Sequence, residues 1–147
     1  KAIASGQAEL RPGVSELFAD LKASGVPVAL VTSSVRPMVE AFLSRLPEGT
    51  FDAVVTANDV ENHKPDPEPY LRAAQLLGVD PAGCVVLEDS PSGIGSGLAA
   101  GTRVVAIPCI VPLPAQDGLS RIGSAADLNI PLLEEIAAGS VVDWLDD

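Results

Sequence analysis

Cys84-Val85-Val86-Leu87-Glu88-Asp89-Ser90-Pro91 sets a short apolar run directly against two carboxylates, a hydroxyl and a proline. The run is too short for a buried helix and rich in β-branched residues, so it reads as a strand. Ser90-Pro91 then reads as an N-cap followed by proline at the first helical position. The helix it opens runs to Ala100, before Gly101. A strand that passes into a helix with no spacer is half of a βαβ unit, and the flanking chain repeats the arrangement.

Upstream, Val14, Leu17, Phe18 and Leu21 recur at helical spacing, and Gly25 can end that helix. Val26 to Thr32 is a second strand-like run. Val35, Met38, Val39, Phe42, Leu43 and Leu46 form another helical stripe, closed by Pro47 and Gly49. Phe51 to Thr56 reads as a strand, and Asp66-Pro67 opens a helix through Leu77 that Gly78 ends. Downstream, Arg103 to Ile107 is a strand, followed by a Pro-rich loop from Pro108 to Pro114. A weaker strand near Asp127 to Ile130 and a helix from Pro131 to Ala138 complete the pattern. Apolar strands alternating with amphipathic helices predict an α/β, Rossmann-like parallel sheet covered by helices on both faces. Residues 10–138 are expected as the core domain, and residues 139–147 as a surface tail.

With 147 residues, 47% apolar and 20% charged, the chain is expected to fold as about one domain with a real core. No apolar run is long enough to span a bilayer. Residues 1–9 have no continuous apolar stretch and do not read as a signal peptide. Lys1 is not an initiator Met, so the natural chain can begin earlier. Cys84 and Cys109 sit in apolar surroundings and read as buried thiols, which fits a reducing, cytoplasmic setting. A net charge of −11 argues against nucleic-acid binding, which needs clustered Lys and Arg. An anionic ligand would therefore have to be neutralised locally, by a metal, a placed Lys or helix N-termini.

In parallel α/β sheets ligands bind beyond the C-terminal ends of the strands, and three strand ends here are chemically unusual. Thr32-Ser33-Ser34 offers hydroxyls and backbone N–H groups at a helix start, an anion-ready arrangement; taken alone, an ordinary Ser N-cap explains it as well. Lys64 is stiffened by Pro65 and Pro67 at the foot of the next helix, although a lone loop Lys is usually solvated. His63 beside it reads as a surface residue. Glu88-Asp89 ends the apolar strand, and adjacent carboxylates there are costly unless hydrogen-bonded or bound to a cation. One or two carboxylates with phosphate oxygens suit Mg²⁺; the competing reading is that Asp89 or Ser90 only caps the helix. Gly93, Gly95 and Gly97 weaken that helix unless something packs closely against it.

These motifs, from Leu10-Arg11-Pro12-Gly13-Val14 to about Leu133, resemble the haloacid dehalogenase superfamily. The nearest subgroup is that of sugar-phosphate phosphatases, phosphoglycolate phosphatases and β-phosphoglucomutases. The resemblance implies that Thr32, with Ser33 and Ser34, binds the transferring phosphoryl group. It implies that Lys64 balances charge on nucleophile and phosphate, and that Glu88 and Asp89 hold Mg²⁺. The expected activity is hydrolysis of a small phosphorylated metabolite through an aspartyl-phosphate. A phosphomutase is the alternative, and a non-catalytic phosphate- and Mg²⁺-binding fragment is the alternative of another class. Arg36 and the Pro108–Pro114 loop can approach a substrate, but a surface role fits them equally.

The family's first motif, an Asp-x-Asp supplying nucleophile and acid/base, is absent. Asp143, Asp146 and Asp147 follow no apolar strand, so a permuted motif is not expected. The resemblance places the missing strand at the centre of the sheet, between those ending at Thr32 and Glu88. Residues 1–9 then read as the end of a cap or its hinge. Losing four or five buried aliphatic side chains, at roughly 1.5–3 kcal/mol each, would remove most of a domain's ~5–15 kcal/mol. The expectation is therefore that an N-terminal fragment of the same enzyme supplies that strand and the cap, and that the 147 residues alone are inactive.

Overall fold

The computed structural model describes residues 2–5, 14–107 and 113–145. In chain order the elements are β1 (Ala2–Ser5), α1 (Val14–Ala23), β2 (Val28–Val31), α2 (Arg36–Leu43), β3 (Ala53–Val55) and α3 (Glu68–Leu77). They continue with β4 (Cys84–Glu88), α4 (Pro91–Ala99), β5 (Arg103–Ala106), β6 (Ser120–Arg121) and α5 (Ile130–Ala137). The strands form one sheet in the order β3-β2-β1-β4-β5-β6, every pair parallel. This is the expected α/β, Rossmann-like fold. No helix among the described residues is long and apolar enough to cross a membrane.

The period-two alternation of β4 divides the core. Val85 and Leu87 face one side, where Leu17 and Leu21 of α1 meet Leu132, Leu133 and Ile136 of α5. Val86 faces the other, where Tyr70 and Ala73 of α3 meet Ile94 of α4. Glu88 lies two residues beyond Val86, so the pleat sends its side chain toward α3 and α4. It is only 2% exposed. Strand order reverses between β1 and β4, which makes the crevice beyond their C-terminal ends the place for a ligand.

Several expectations change. Ala2–Ser5, expected within a hinge, form β1 at the centre of the sheet. Ile3 pairs with Val28 on one side and Val85 on the other. The strands ending at Thr32 and Glu88 thus do have a strand between them, supplied by this chain. The physical reason is the two rows of backbone donors and acceptors that an open slot would leave unpaired. The strand expected near Asp127 to Ile130 is instead a 3₁₀ turn, Ala125–Asp127, followed by α5, whose first turn is capped by Asn129. The last strand lies earlier, at Ser120–Arg121, where Arg121 forms an isolated bridge with Asp143. α3 begins at Glu68, with Asp66 Oδ1 accepting from the Glu68 N–H at 2.9 Å. The tail is anchored through Asp143, while Val141 and Trp144 are exposed, at 53% and 55%. Cys84 is buried and free. Cys109 and most of the Pro-rich loop lie outside the described residues.

Candidate phosphoryl-binding site

The three unusual strand ends meet. Lys64 lies in the loop before α3, and that loop is pinned to α4. The Ser96 hydroxyl donates to the Asp66 carbonyl at 2.6 Å, and a Cβ at Gly95 would stand 3.3 Å from Pro65. This close approach carries Lys64 inward, leaving its side chain 4% exposed. Its Nζ donates to the Val31 carbonyl at the end of β2 (3.2 Å) and to Glu88 Oε2 at the end of β4 (2.5 Å). One ammonium therefore spans the strands on either side of β1. The solvated-loop alternative for Lys64 does not hold, whereas His63 is exposed as expected.

Glu88 Oε2 also accepts a hydrogen bond from the Tyr70 hydroxyl, and Lys64 Nζ lies 5.0 Å from the centre of the Tyr70 ring. Burial pushes the Tyr70 hydroxyl well above the ordinary phenol range, with the Glu88 and Asp89 carboxylates adding to the effect. It remains a neutral donor. Among the described residues Glu88 Oε1 has only long partners, the Asp89 N–H at 3.3 Å and the Ser90 hydroxyl at 3.4 Å. Gly93 makes room for this carboxylate: a Cβ there would overlap its carboxyl carbon and both oxygens. Gly97 instead serves the packing on the sheet that the sequence suggested, with a Cβ position 2.7 Å from Val104.

The capping alternatives resolve differently at the two helices. Ser90 caps α4, its hydroxyl accepting from the Gly93 N–H at 3.1 Å, so that role does not fall to Asp89. α2 has Val35 at its N-cap and no side-chain cap, so neither Ser33 nor Ser34 is an ordinary capping residue. Thr32 Oγ1 accepts from the Ser34 N–H at 3.1 Å, folding the loop back on itself. The Ser34 carbonyl accepts from the Ala57 N–H at 3.0 Å, and Asn58 Oδ1 accepts from the Arg36 N–H at 2.8 Å. Ser33 is exposed, and its N–H has no partner among the described residues. Arg36 does not reach into the site; its guanidinium pairs with Asp59 at 2.6 Å. Burial opposes ionisation of Asp59, but the Thr56 N–H and hydroxyl and the Arg36 guanidinium outweigh it and hold the carboxyl below the usual range.

Sequence reasoning missed Tyr70, Asn58 and Asp59. Tyr70 lies within the helix expected from Asp66-Pro67 through Leu77 and was not singled out there. A buried tyrosine still needs a partner for its hydroxyl, and that need was the available signal. Among the described residues, no group of three His, Cys, Asp or Glu side chains is placed to hold a metal. Mg²⁺ does not require one, since it is commonly held by one or two carboxylates together with phosphate and water. The hard carboxylate oxygens of Asp89, with Glu88 Oε1, are of the chemistry that suits such an ion, while Glu88 Oε2 is engaged by Lys64 and Tyr70.

Fold and strand-end cluster together define a parallel α/β domain of the kind that binds anionic groups at its topological switch point. The chain belongs to the haloacid dehalogenase-like hydrolase family, whose pattern it matches over residues 1–107. It is 40% identical to protein CbbY of Rhodobacter capsulatus over 143 residues, covering 95% of this chain and 60% of that protein. It is 45% identical to hexitol phosphatase A of Escherichia coli over 98 residues, 65% of this chain and 44% of that protein. Among solved structures it resembles CbbY from Rhodobacter sphaeroides in complex with phosphate. That similarity has a TM-score of 0.77 and 30% identity, over 85% of this chain and 58% of the other. The chain thus spans 60% or less of the length of these relatives.

Proposed function

We propose that these residues form the phosphoryl-binding core of a Mg²⁺-dependent phosphatase acting on a small phosphorylated metabolite, with a sugar phosphate the favoured class. The observation that carries this reading is the single Lys64 ammonium bridging the ends of β2 and β4 through the Val31 carbonyl and Glu88. Thr32 Oγ1 and the Ser33 N–H are donors for phosphoryl oxygens, and Lys64 opposes their charge. Preorganised donors of this kind contribute most when charge grows during transfer. Asp89 would hold Mg²⁺, with Glu88 joining through Oε1, and the ion would neutralise phosphoryl oxygens. The acidic surface, at net −11, disfavours polyanions and nucleic acid. A buried free thiol at Cys84 agrees with a reducing, cytoplasmic setting.

The nucleophile would lie on an Asp-x-Asp segment upstream in the same enzyme, together with a cap, and that segment would have to take the central place that Ala2–Ser5 hold in these 147 residues. In the 147 residues the central strand ends at Ser5, with no Asp. That observation supports a second reading for this chain alone: it binds phosphate and Mg²⁺ without turnover. Titrating the chain with inorganic phosphate, with and without Mg²⁺, and assaying it against a panel of sugar phosphates tests both. Phosphate binding strengthened by Mg²⁺, with no hydrolysis, is expected. A longer form carrying the Asp-x-Asp should hydrolyse the panel, and release of free phosphate instead of an isomerised sugar phosphate separates phosphatase from mutase. Failure to bind phosphate would overturn the proposal.

A further inference from the structure

The geometry points to Tyr70 as a positioning residue that lets Lys64 move from Glu88 to a bound phosphoryl group. This rests on the phosphate-site reading above. Lys64 and Tyr70 donate to the same atom, Oε2 of the Glu88 carboxylate, a residue only 2% exposed. While Lys64 is held there, its charge is matched by Glu88 and is only partly available to an incoming anion. If Lys64 turned to phosphate with no other donor present, Glu88 would be left as a buried carboxylate lacking any strong partner. That state is costly enough to oppose binding. The Tyr70 hydroxyl removes the difficulty, because it already bonds Oε2 and becomes its sole strong donor when Lys64 leaves.

Two details make the role specific. Glu88 Oε1 has only its long contacts with Asp89 and Ser90, at 3.3 and 3.4 Å, so neither can take over from Lys64. The Tyr70 ring also flanks the ammonium, 5.0 Å from Nζ, so Lys64 can turn while remaining against an aromatic surface. Tyr70→Phe keeps that ring and removes only the hydroxyl. With Tyr70 altered, Glu88 holds Lys64 harder, and phosphate must compete with a carboxylate that has no second donor.

The chain contains one tyrosine, so a tyrosine signal reports on this residue alone. Inorganic phosphate is titrated at saturating Mg²⁺ into the unaltered chain, following both the heat of binding and the near-ultraviolet difference spectrum of tyrosine. A tyrosine change that saturates together with the heat is expected, since the hydroxyl's bond to Glu88 strengthens as Lys64 departs. Tyr70→Phe should bind phosphate about tenfold more weakly, the scale of part of one charge-assisted hydrogen bond. A silent tyrosine spectrum during binding, or a Tyr70→Phe affinity within about twofold of the original, overturns the assignment and leaves the phosphate site standing. Absence of phosphate binding to the unaltered chain overturns both. Should Tyr70→Phe fail to fold, the spectrum of the unaltered chain decides the matter.

Discussion

Gly93→Ala should be among the most damaging single-methyl changes in this protein. The added Cβ would overlap the carboxyl carbon and both oxygens of Glu88. Glu88 cannot yield freely, since Oε2 is fixed by the Lys64 ammonium at 2.5 Å and by Tyr70, and the side chain is buried. Moving it costs at least one charge-assisted hydrogen bond, about 1.5–3 kcal/mol. Overpacking of the surrounding core adds about 1–3 kcal/mol. Replacing glycine by alanine within a helix returns about 1 kcal/mol. The expected loss is therefore about 1.5–5 kcal/mol, a large share of a typical ~5–15 kcal/mol. Urea unfolding followed by circular dichroism measures it, and at about 2 kcal/mol per molar urea the midpoint should fall by roughly 0.8–2.5 M. Gly83→Ala is the control, because nothing lies within 4 Å of its Cβ position and its φ is not positive. It should leave the midpoint unchanged or raise it slightly. A Gly93→Ala midpoint equal to or above the original would refute the account of Glu88 as a rigidly held buried carboxylate.

Lys64→Met should cost up to about 3 kcal/mol, short of a fully stranded charge because the Tyr70 hydroxyl still donates to Glu88, and combining it with Glu88→Leu should recover most of the loss; a urea double-mutant cycle reads both. The Arg121 hydrogen bond, assisted by a bond from the Leu145 N–H and by the guanidinium charge, holds the Asp143 carboxyl below the usual range against burial. Its folded-state value is thus lower than its unfolded value, so its contribution is present above the unfolded value and lost as pH falls through the folded one. Asp143→Asn should flatten the acid limb of stability against pH, and an unchanged limb in pH-dependent urea melts would count against it. Burial pushes the Cys84 thiol above its ordinary value, so in a Cys109→Ser background iodoacetamide should label it only as fast as the chain opens. Labelling at the rate of a free thiol would contradict its burial.

Most of the fold was legible because burial on both faces makes a strand apolar throughout, and β2, β4 and β5 carry that signature. β6 was not legible. Its two residues are Ser120 and Arg121, and the buried Arg121 is met by distant groups: Asp143, twenty-two positions away, at 3.0 Å from its guanidinium, and the Leu113 carbonyl, which accepts from Nη1 at 3.1 Å. A short strand held by a distant partner leaves no local pattern. β1 was hidden for a related reason: Ala2-Ile3-Ala4-Ser5 has one large apolar residue in sequence, and its place is given by backbone pairing with the distant strands β2 and β4.

At the site the same division recurs. Thr32, Lys64, Glu88 and Asp89 could be found because their chemistry conflicts with the apolar strands they terminate, and such conflicts mark functional positions. What could not be read was which carboxylate oxygen answers which donor. Glu88 and Asp89 are equivalent as letters, and the reading treated them as one metal pair. The alternation of β4 separates them, sending Glu88 under α4 to Lys64 and Tyr70 and leaving Asp89 at the strand end. A pair of acids at the end of a strand therefore holds two different jobs whenever the pleat buries one of them. Gly93, which reads as a packing glycine, is what gives the buried one its place.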